Sequence, residues 1–268
     1  MRTWVLVCAV AALVQGAGTS SAVVLADDDV VGAWLFDDSS YATVDSSDAG
    51  NDGEATGNVT WIDDGRFGGA LLFEGDESSI SVEDDPSLHF TEGTDFTAAV
   101  WLRTDMVGFW PPMILAKNYY PTEERPWWAL YYANGSKSLD GSASFFLRDD
   151  EGSNHHIGGG PLVNDGAWHH LVGTRQGETI RFYVDSVEVG SKDNAGFDVG
   201  TAPSPLHMMS HLERWQLGSL DEVLLLRRAL DKGDVRELMD VGIEAFFSVS
   251  SAVGSKGKLA VQWEMLKN

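Results

Sequence analysis

Two adjacent acids, Asp221 and Glu222, stand inside an apolar run. Leu220, Leu224 and Leu226 share one strand face there, and Val223 and Leu225 share the other. Neighbouring strand residues point to opposite faces, so one of the two carboxylates is expected to face an apolar layer. A carboxylate taken out of water without a partner is costly, so it must be hydrogen-bonded, ion-paired or metal-bound. A second constellation is aromatic: Phe109, Trp110, Tyr119, Tyr120, Trp127, Trp128, Tyr131 and Tyr132. Exposed rings stack on the apolar faces of sugars. Phe109-Trp110-Pro111-Pro112 and Tyr119-Tyr120-Pro121 read as loops, where large rings are hard to bury. Trp110, Tyr119, Tyr120 and Trp127 are therefore the candidate ligand platform, while Trp128 and Tyr132 are expected in the core.

Histidines occur as His155-His156, His169-His170 and the spaced His207 and His211. Adjacent strand residues point apart, so neither pair chelates a metal by itself, and a transition-metal site is not expected. Glycoside hydrolysis needs two carboxylates flanking one bond, and no Glu-x-Asp-x-x-Glu run or close variant occurs. A Gly-x-Ser-x-Gly elbow, a phosphate loop and a dinucleotide fingerprint are also missing. The expectation is a protein without catalytic residues.

Strands must position these groups. Residues 96–103 alternate, with Phe96, Ala98, Val100 and Leu102 on one face. Residues 30–36 are apolar on both faces, as in a strand inside a sandwich. Further short strands are predicted at 68–73, 79–82, 113–116, 128–132, 144–147, 168–174, 179–184, 187–189 and 220–226, with a hairpin at 175–178. Residues 37–57, rich in Asp, Ser, Gly and Asn, read as a long loop. One helix follows: Asp231 is its N-cap, Asp234 the capping-box acid, Val235, Leu238 and Met239 its apolar stripe, and Gly242 its stop. Many short strands and one late helix predict an all-β, antiparallel two-sheet β-sandwich or jelly roll. Residues 243–268 read as a C-terminal tail holding a weak strand and a Gly/Ser/Lys turn.

The chain has 268 residues, 43% of them hydrophobic, with ten tryptophans, enough for one sandwich domain with a sizeable core. Its net charge of −23 repels nucleic acid and anionic membranes. Arg2, the apolar run 4–14 and the small residues after it read as an export signal over 1–26, with cleavage after Ala22 or Ala26. The run is too short to span a bilayer, and no later segment is long and apolar enough. Cys8, the one cysteine, falls inside the signal, so no disulfide and no thiol chemistry are expected. The protein is expected to be secreted, periplasmic or at the cell surface.

Several segments, in order, resemble the laminin-G-like jelly-roll family of the concanavalin A-like lectin/glucanase superfamily. They are Gly32-Ala33-Trp34-Leu35-Phe36-Asp37; Asp45-Ser46-Ser47 with Asn51-Asp52-Gly53; and Phe67-Gly68-Gly69-Ala70-Leu71-Leu72-Phe73-Glu74-Gly75. Gly166-Ala167-Trp168-His169-His170-Leu171-Val172, Phe182-Tyr183-Val184-Asp185, Gly218-Ser219-Leu220-Asp221-Glu222-Val223 and Arg228-Ala229-Leu230 complete the set. The resemblance spans about residues 30–242 and implies a single domain over 27–242. Where the family places Gly after Tyr-Val-Asp, this chain has Ser186, so that turn must change geometry or carry strain at positive φ. The resemblance also implies a structural Ca²⁺ where the closing strand meets the first strand, held by Asp221 with Asp37 and backbone carbonyls nearby, hard oxygen donors that suit this ion. It implies binding of a glycan or an extracellular protein. The alternatives are an adhesion module without sugar affinity, or a divergent glycoside hydrolase.

Overall fold

Short runs, many of them apolar and many followed by glycine, asparagine or aspartate, form strands in the computed structural model. The structure describes residues 25, 27–40, 42–75, 77–107, 113–117, 126–132, 141–211 and 214–265, with side chains for all but 211, 214 and 249–265. In chain order the strands begin with β1 (Val30–Trp34), β2 (Gly53–Thr56), β3 (Val59–Ile62), β4 (Ala70–Phe73), β5 (Ser79–Val82) and β6 (Phe96–Arg103). Next come β7 (Met113–Lys117), β8 (Trp127–Tyr131), β9 (Ala143–Arg148), β10 (Asn154–Gly159), β11 (Trp168–Gln176) and β12 (Thr179–Val184). The last are β13 (Val187–Lys192), β14 (Leu206–Met208), the short pair β15 (Ser210–His211) and β16 (Arg214–Trp215), and β17 (Gly218–Leu226), followed by helix α1 (Lys232–Met265).

Two antiparallel sheets make the sandwich. The larger runs β13-β12-β11-β6-β17-β4-β3, with β1 also paired to β17; the smaller runs β10-β9-β8-β7-β14-β5-β2. The fold is therefore the expected jelly-roll sandwich. Strands β2, β3, β10, β14, β15 and β16 were not predicted, and β2 (Gly53–Thr56) corrects the reading of 37–57 as loop throughout. Each is short or mixes glycine, histidine and polar residues, and its pairing comes from sheet neighbours rather than from its own propensity.

Between the sheets lies a dry core that includes Trp34, Phe73, Phe90, Phe96, Trp128, Tyr132, Phe145 and Phe182. Phe90 and Phe96 stack with ring centroids 4.4 Å apart. Trp128 and Tyr132 are buried as expected. The polar loop 37–57 is tied down by Asp45. Its carboxylate accepts from the amides of Ala33, Ser47 and Asn51 at 2.8–2.9 Å, and from the Ser47 hydroxyl. A buried acid with that many donors is satisfied, which explains why the segment is both polar and ordered.

The outer face of the larger sheet carries a second apolar layer. Val30, Ala33, Ala99, Val172, Tyr183, Leu224 and Leu226 pack there with Leu25, Leu230, Val235, Leu238, Ile243, Phe246 and Phe247. This corrects the reading of the tail. Residues 243–265 are helical rather than a weak strand and turn, and Ile243, Phe246 and Phe247 dock on the sheet. Gly242, expected to end the helix, breaks it (φ 79°, ψ 170°), but a second helical stretch begins immediately after it. The expected capping box is present: Asp231 Oδ1 accepts from the amides of Gly233 and Asp234, and Asp234 Oδ2 accepts from the Asp231 amide.

Ser186 takes the strained option. Asp185 and Ser186 both have positive φ, 50° and 61°, in the two-residue turn that joins β12 to β13. A side chain in that region costs about 1 kcal/mol relative to glycine.

Candidate functional site

The acids sit where β17 changes partner. Along one edge of β17, β4 opposes Gly218–Leu220 and β1 opposes Val223–Leu226, so Asp221 and Glu222 fall between the two. On the other edge Asp221 faces Trp101 and Leu224 faces Ala99, a β-bulge with Glu222 at φ 50°. The bulge corrects the expected alternation. It inserts one residue, so Leu220 joins Val223 and Leu225 in the inter-sheet core while Leu224 and Leu226 face the outer layer. Strict alternation would have put Leu220, Leu224 and Leu226 on one shared face; instead they divide, and both acids lie buried.

Asp221 Oδ2 accepts from the amides of Arg66 (2.7 Å) and Phe67 (3.0 Å), while its buried Oδ1 has no hydrogen-bond partner. Burial, with the nearby Asp37 charge adding to it, pushes the Asp221 carboxyl up to about 7. Asp37 follows the end of β1 and accepts from the Gly69 amide at 3.1 Å. Its carboxyl is also raised, first by burial and then by the charge of Glu244. Gly68 is required here: its φ is 59°, and a Cβ would lie 2.0 Å from Asp37 Oδ1. Glu222 does different work. Its Oε2 accepts from the Ile243 amide at the start of the second helical stretch, where a carboxylate meets unpaired amides and the positive end of the helix dipole. Burial raises its carboxyl well above the usual carboxylate range. Sequence reading missed this role because helical docking of residue 243 was not foreseen.

Among the described residues no three His, Cys, Asp or Glu side chains gather closely enough to hold a metal by themselves. An ion near Asp221 would need backbone carbonyls as well. The orphaned Oδ1 of Asp221 and the Asp37 carboxylate, both raised first by burial, are the oxygens here that could meet a hard cation.

His169 and His170 are held within the fold by neighbouring side chains. His170 stacks on Trp101 at 4.9 Å, and complete burial pulls its imidazole down to about 3. His169 is clamped between two carboxylates, Nδ1 to Asp185 Oδ2 at 2.8 Å and Nε2 to Asp165 Oδ1 at 3.1 Å. Only an imidazolium donates from both nitrogens, and the bond to Asp185 leads in raising its pKa. A raised histidine stabilises the fold fully below its unfolded value of about 6.5 and ceases to do so as pH rises through the folded value. Asp185, lowered in the fold, needs the pH to stay above its own folded value. His169→Gln should therefore lower Tm most between about pH 4 and 6.5 and least near pH 9. An equal loss at both ends of the range would sink this account.

Of the expected platform, Trp110, Tyr119 and Tyr120 lie outside the described residues. Trp127 opens β8 on the outer face of the smaller sheet, partly exposed, its ring 4.3 Å from Phe146. Met113, Ala116, Ala129, Tyr131 and Phe146 form the apolar layer beneath it. Tyr131 lies 5.9 Å from His156, which bonds Ser144 at 3.1 Å. Pro126, next to Trp127, lines a cavity of about 580 Å³ with Phe197, Asn194 and the carboxylates of Glu92, Asp150 and Glu178. Sequence reading missed this cavity because its walls come from five separate loops.

The sequence matches the Laminin_G_3 family, of the concanavalin A-like lectin/glucanases superfamily, over residues 74–236, and the chain belongs to that family. No curated protein matches it. Solved structures with the same fold include the binding domain of Paraclostridial Mosquitocidal Protein 1, 20% identical with TM-score 0.64 over 79% of this chain and 52% of that one. The botulinum neurotoxin serotype G binding domain is 12% identical, TM-score 0.63, over 80% and 51%. Domain 4 of AbnA, an extracellular arabinanase of Geobacillus stearothermophilus solved with arabinotriose, is 18% identical, TM-score 0.61, over 79% and 98%. This chain thus spans about half the length of the two toxin domains and nearly all of the arabinanase domain. No described helix is long and apolar enough to cross a membrane.

Proposed function

We propose that this chain is an exported, non-catalytic module that binds a carbohydrate beside Trp127, with a structural Ca²⁺ at Asp37 and Asp221. The observation that carries the reading is the Trp127 ring, partly exposed and braced by Phe146 at 4.3 Å, one residue along the chain from Pro126, which lines a cavity with several carboxylates and an amide. A braced aromatic loses little freedom on stacking against a sugar, so it supplies affinity cheaply. Family membership and the arabinotriose-bound relative support the same reading. Asp221 and Glu222 are both committed to backbone amides and closed off from solvent, a poor arrangement for attacking a glycosidic bond. The test is a glycan array with and without Ca²⁺, with reducing ends assayed on every retained polysaccharide. Trp127→Ala should weaken the retained glycan roughly tenfold or more, with Tm held close to the parent. Unchanged retention, or new reducing ends, refutes the proposal.

Export places the mature start upstream of the packed region. Leu25 is buried in the outer-face layer and its amide donates to the Ser46 carbonyl at 2.6 Å, so cleavage after Ala26 would remove a docked residue. Terminal sequencing of the secreted protein should read from Val23. A start at Asp27 would overturn that placement.

A further inference from the structure

Most of the described arginines are committed to the fold. Arg103, Arg228 and Arg236 pair with carboxylates, and Arg175 and Arg227 donate to backbone carbonyls. Arg66 covers Trp101, and Arg181 shares a cavity with Glu188 and Asp231. Arg148 differs: within the described residues it makes no hydrogen bond or ion pair, and its Nε is sealed from water without an acceptor. The chain has 41 Asp and Glu against 18 Lys and Arg, so acids are not in short supply and the missing partner is a matter of placement. A buried donor left without an acceptor costs stability. This guanidinium detracts from the fold rather than supporting it.

Its position is specific. Arg148 ends β9 on the outer face of the smaller sheet, directly opposite Trp127 of β8 on one side and Asn154 of β10 on the other. Opposed residues share a face and neighbouring strands lie ~4.8 Å apart, so ring, guanidinium and amide form a row about 10 Å long. Trp127 and Arg148 are partly exposed and Asn154 is exposed. Acids of the turn after β9 are engaged elsewhere. Asp149 Oδ1 accepts from the Ser153 amide at 2.7 Å, its Oδ2 lies 4.0 Å from His155 Nε2, and Asp150 lines the cavity beside Pro126. Gly152, at φ 88°, packs close: a Cβ there would lie 3.3 Å from Arg148 Nη2, so the turn limits where the guanidinium can go.

A second cation stands at the far end of the row. Lys192 donates to the Asn154 backbone carbonyl at 3.3 Å and forms no ion pair among the described residues. After burial, its charge is what lowers the pKa of His156, which shares this face with Arg148. The row therefore pairs an aromatic face with a positive field and a held fork of donors. A carboxylate matches a guanidinium through two parallel N–H···O bonds, which a single hydroxyl does not.

We infer that Arg148 makes the Trp127 platform selective for polysaccharides that contain hexuronate. One sugar ring stacks on Trp127, its neighbour presents a carboxylate to Arg148, and Asn154 bonds the hydroxyls. The inference rests on the Trp127 reading and names the sugar class that site takes.

The test is calorimetric titration of the full chain with short oligomers of galacturonate and of mannuronate, each as the carboxylate and as its methyl ester, at two salt concentrations. One carboxylate form or both should bind at least tenfold more tightly than the ester, and the gap should narrow at higher salt. Arg148→Gln should bring the carboxylate down to the level of the ester, with the ester's binding and Tm close to the parent's. Arg148→Lys should keep only part of the gap. Trp127→Ala should weaken both forms. The inference is overturned if carboxylate and ester bind alike, if neither carboxylate binds, or if Arg148→Gln keeps the gap. With the gap kept, weakened binding of both forms in Trp127→Ala leaves the platform standing without this selectivity. Unchanged binding in Trp127→Ala removes the platform and this inference with it.

Discussion

Arg175→Met is expected to lower Tm by about 6–12 °C, corresponding to roughly 3 kcal/mol in a domain of this size. Arg175 is fully buried at the end of β11. Its guanidinium donates to the carbonyls of Phe90, Thr91, Thr94, Ala195 and Phe197, with Nη2 sharing its hydrogens among three of them. The ring of Phe96 lies 5.1 Å beneath it. Burial pulls the group down only to about 10, so it remains charged at neutral pH. Removing it strips donors from the carbonyls of loops 90–95 and 195–197 that it gathers. Lysine keeps the charge but not the planar fork of donors, so Arg175→Lys should recover less than half of the loss. Melting curves of the three proteins decide it. A methionine variant within 2 °C of the parent, or full rescue by lysine, would show that the loops are held by other means.

This arginine also marks the boundary of what the sequence discloses. Alternating runs such as Phe96–Arg103 and Thr179–Val184 showed their strands directly, because one face must be apolar and the other is paired. The capping box at Asp231 and Asp234 was equally local, needing only a three-residue spacing. Arg175 read as part of a hairpin loop, since its five acceptors come from segments about 20 and 80 residues away along the chain. The bulge at Glu222 was hidden for the same kind of reason. Its φ of 50° follows from β4 and β1 sharing one edge of β17, a tertiary fact with no signature in the residue type. The candidate site was therefore legible as chemistry before it was legible as geometry. Asp221 and Asp37 were paired through a resemblance, and the orphaned Oδ1 and the Gly68 cradle emerge only from the folded chain.

Chelation should produce the other large effect. At pH 8, above the value of about 7 to which burial raises Asp221, the carboxylate is ionised with one oxygen unpartnered and Asp37 nearby. Keeping such a group charged costs roughly 4 kcal/mol relative to an ordinary carboxylate. A bound Ca²⁺ offsets that cost, because it supplies both the missing partner and the counter-charge. EDTA at pH 8 should then lower Tm by several degrees, and added Ca²⁺, but not Mg²⁺ at the same concentration, should restore it. Asp221→Ala leaves the Arg66 and Phe67 amides without an acceptor and should be less stable than the parent with or without Ca²⁺. Asp221→Asn separates the roles: its side-chain oxygen still accepts from those amides, so most of the fold's stability returns, but the response to Ca²⁺ should vanish. If EDTA leaves the parent's Tm unchanged, the ionised carboxylate rests on the Arg66 and Phe67 amides alone, and the cation is not part of the structure.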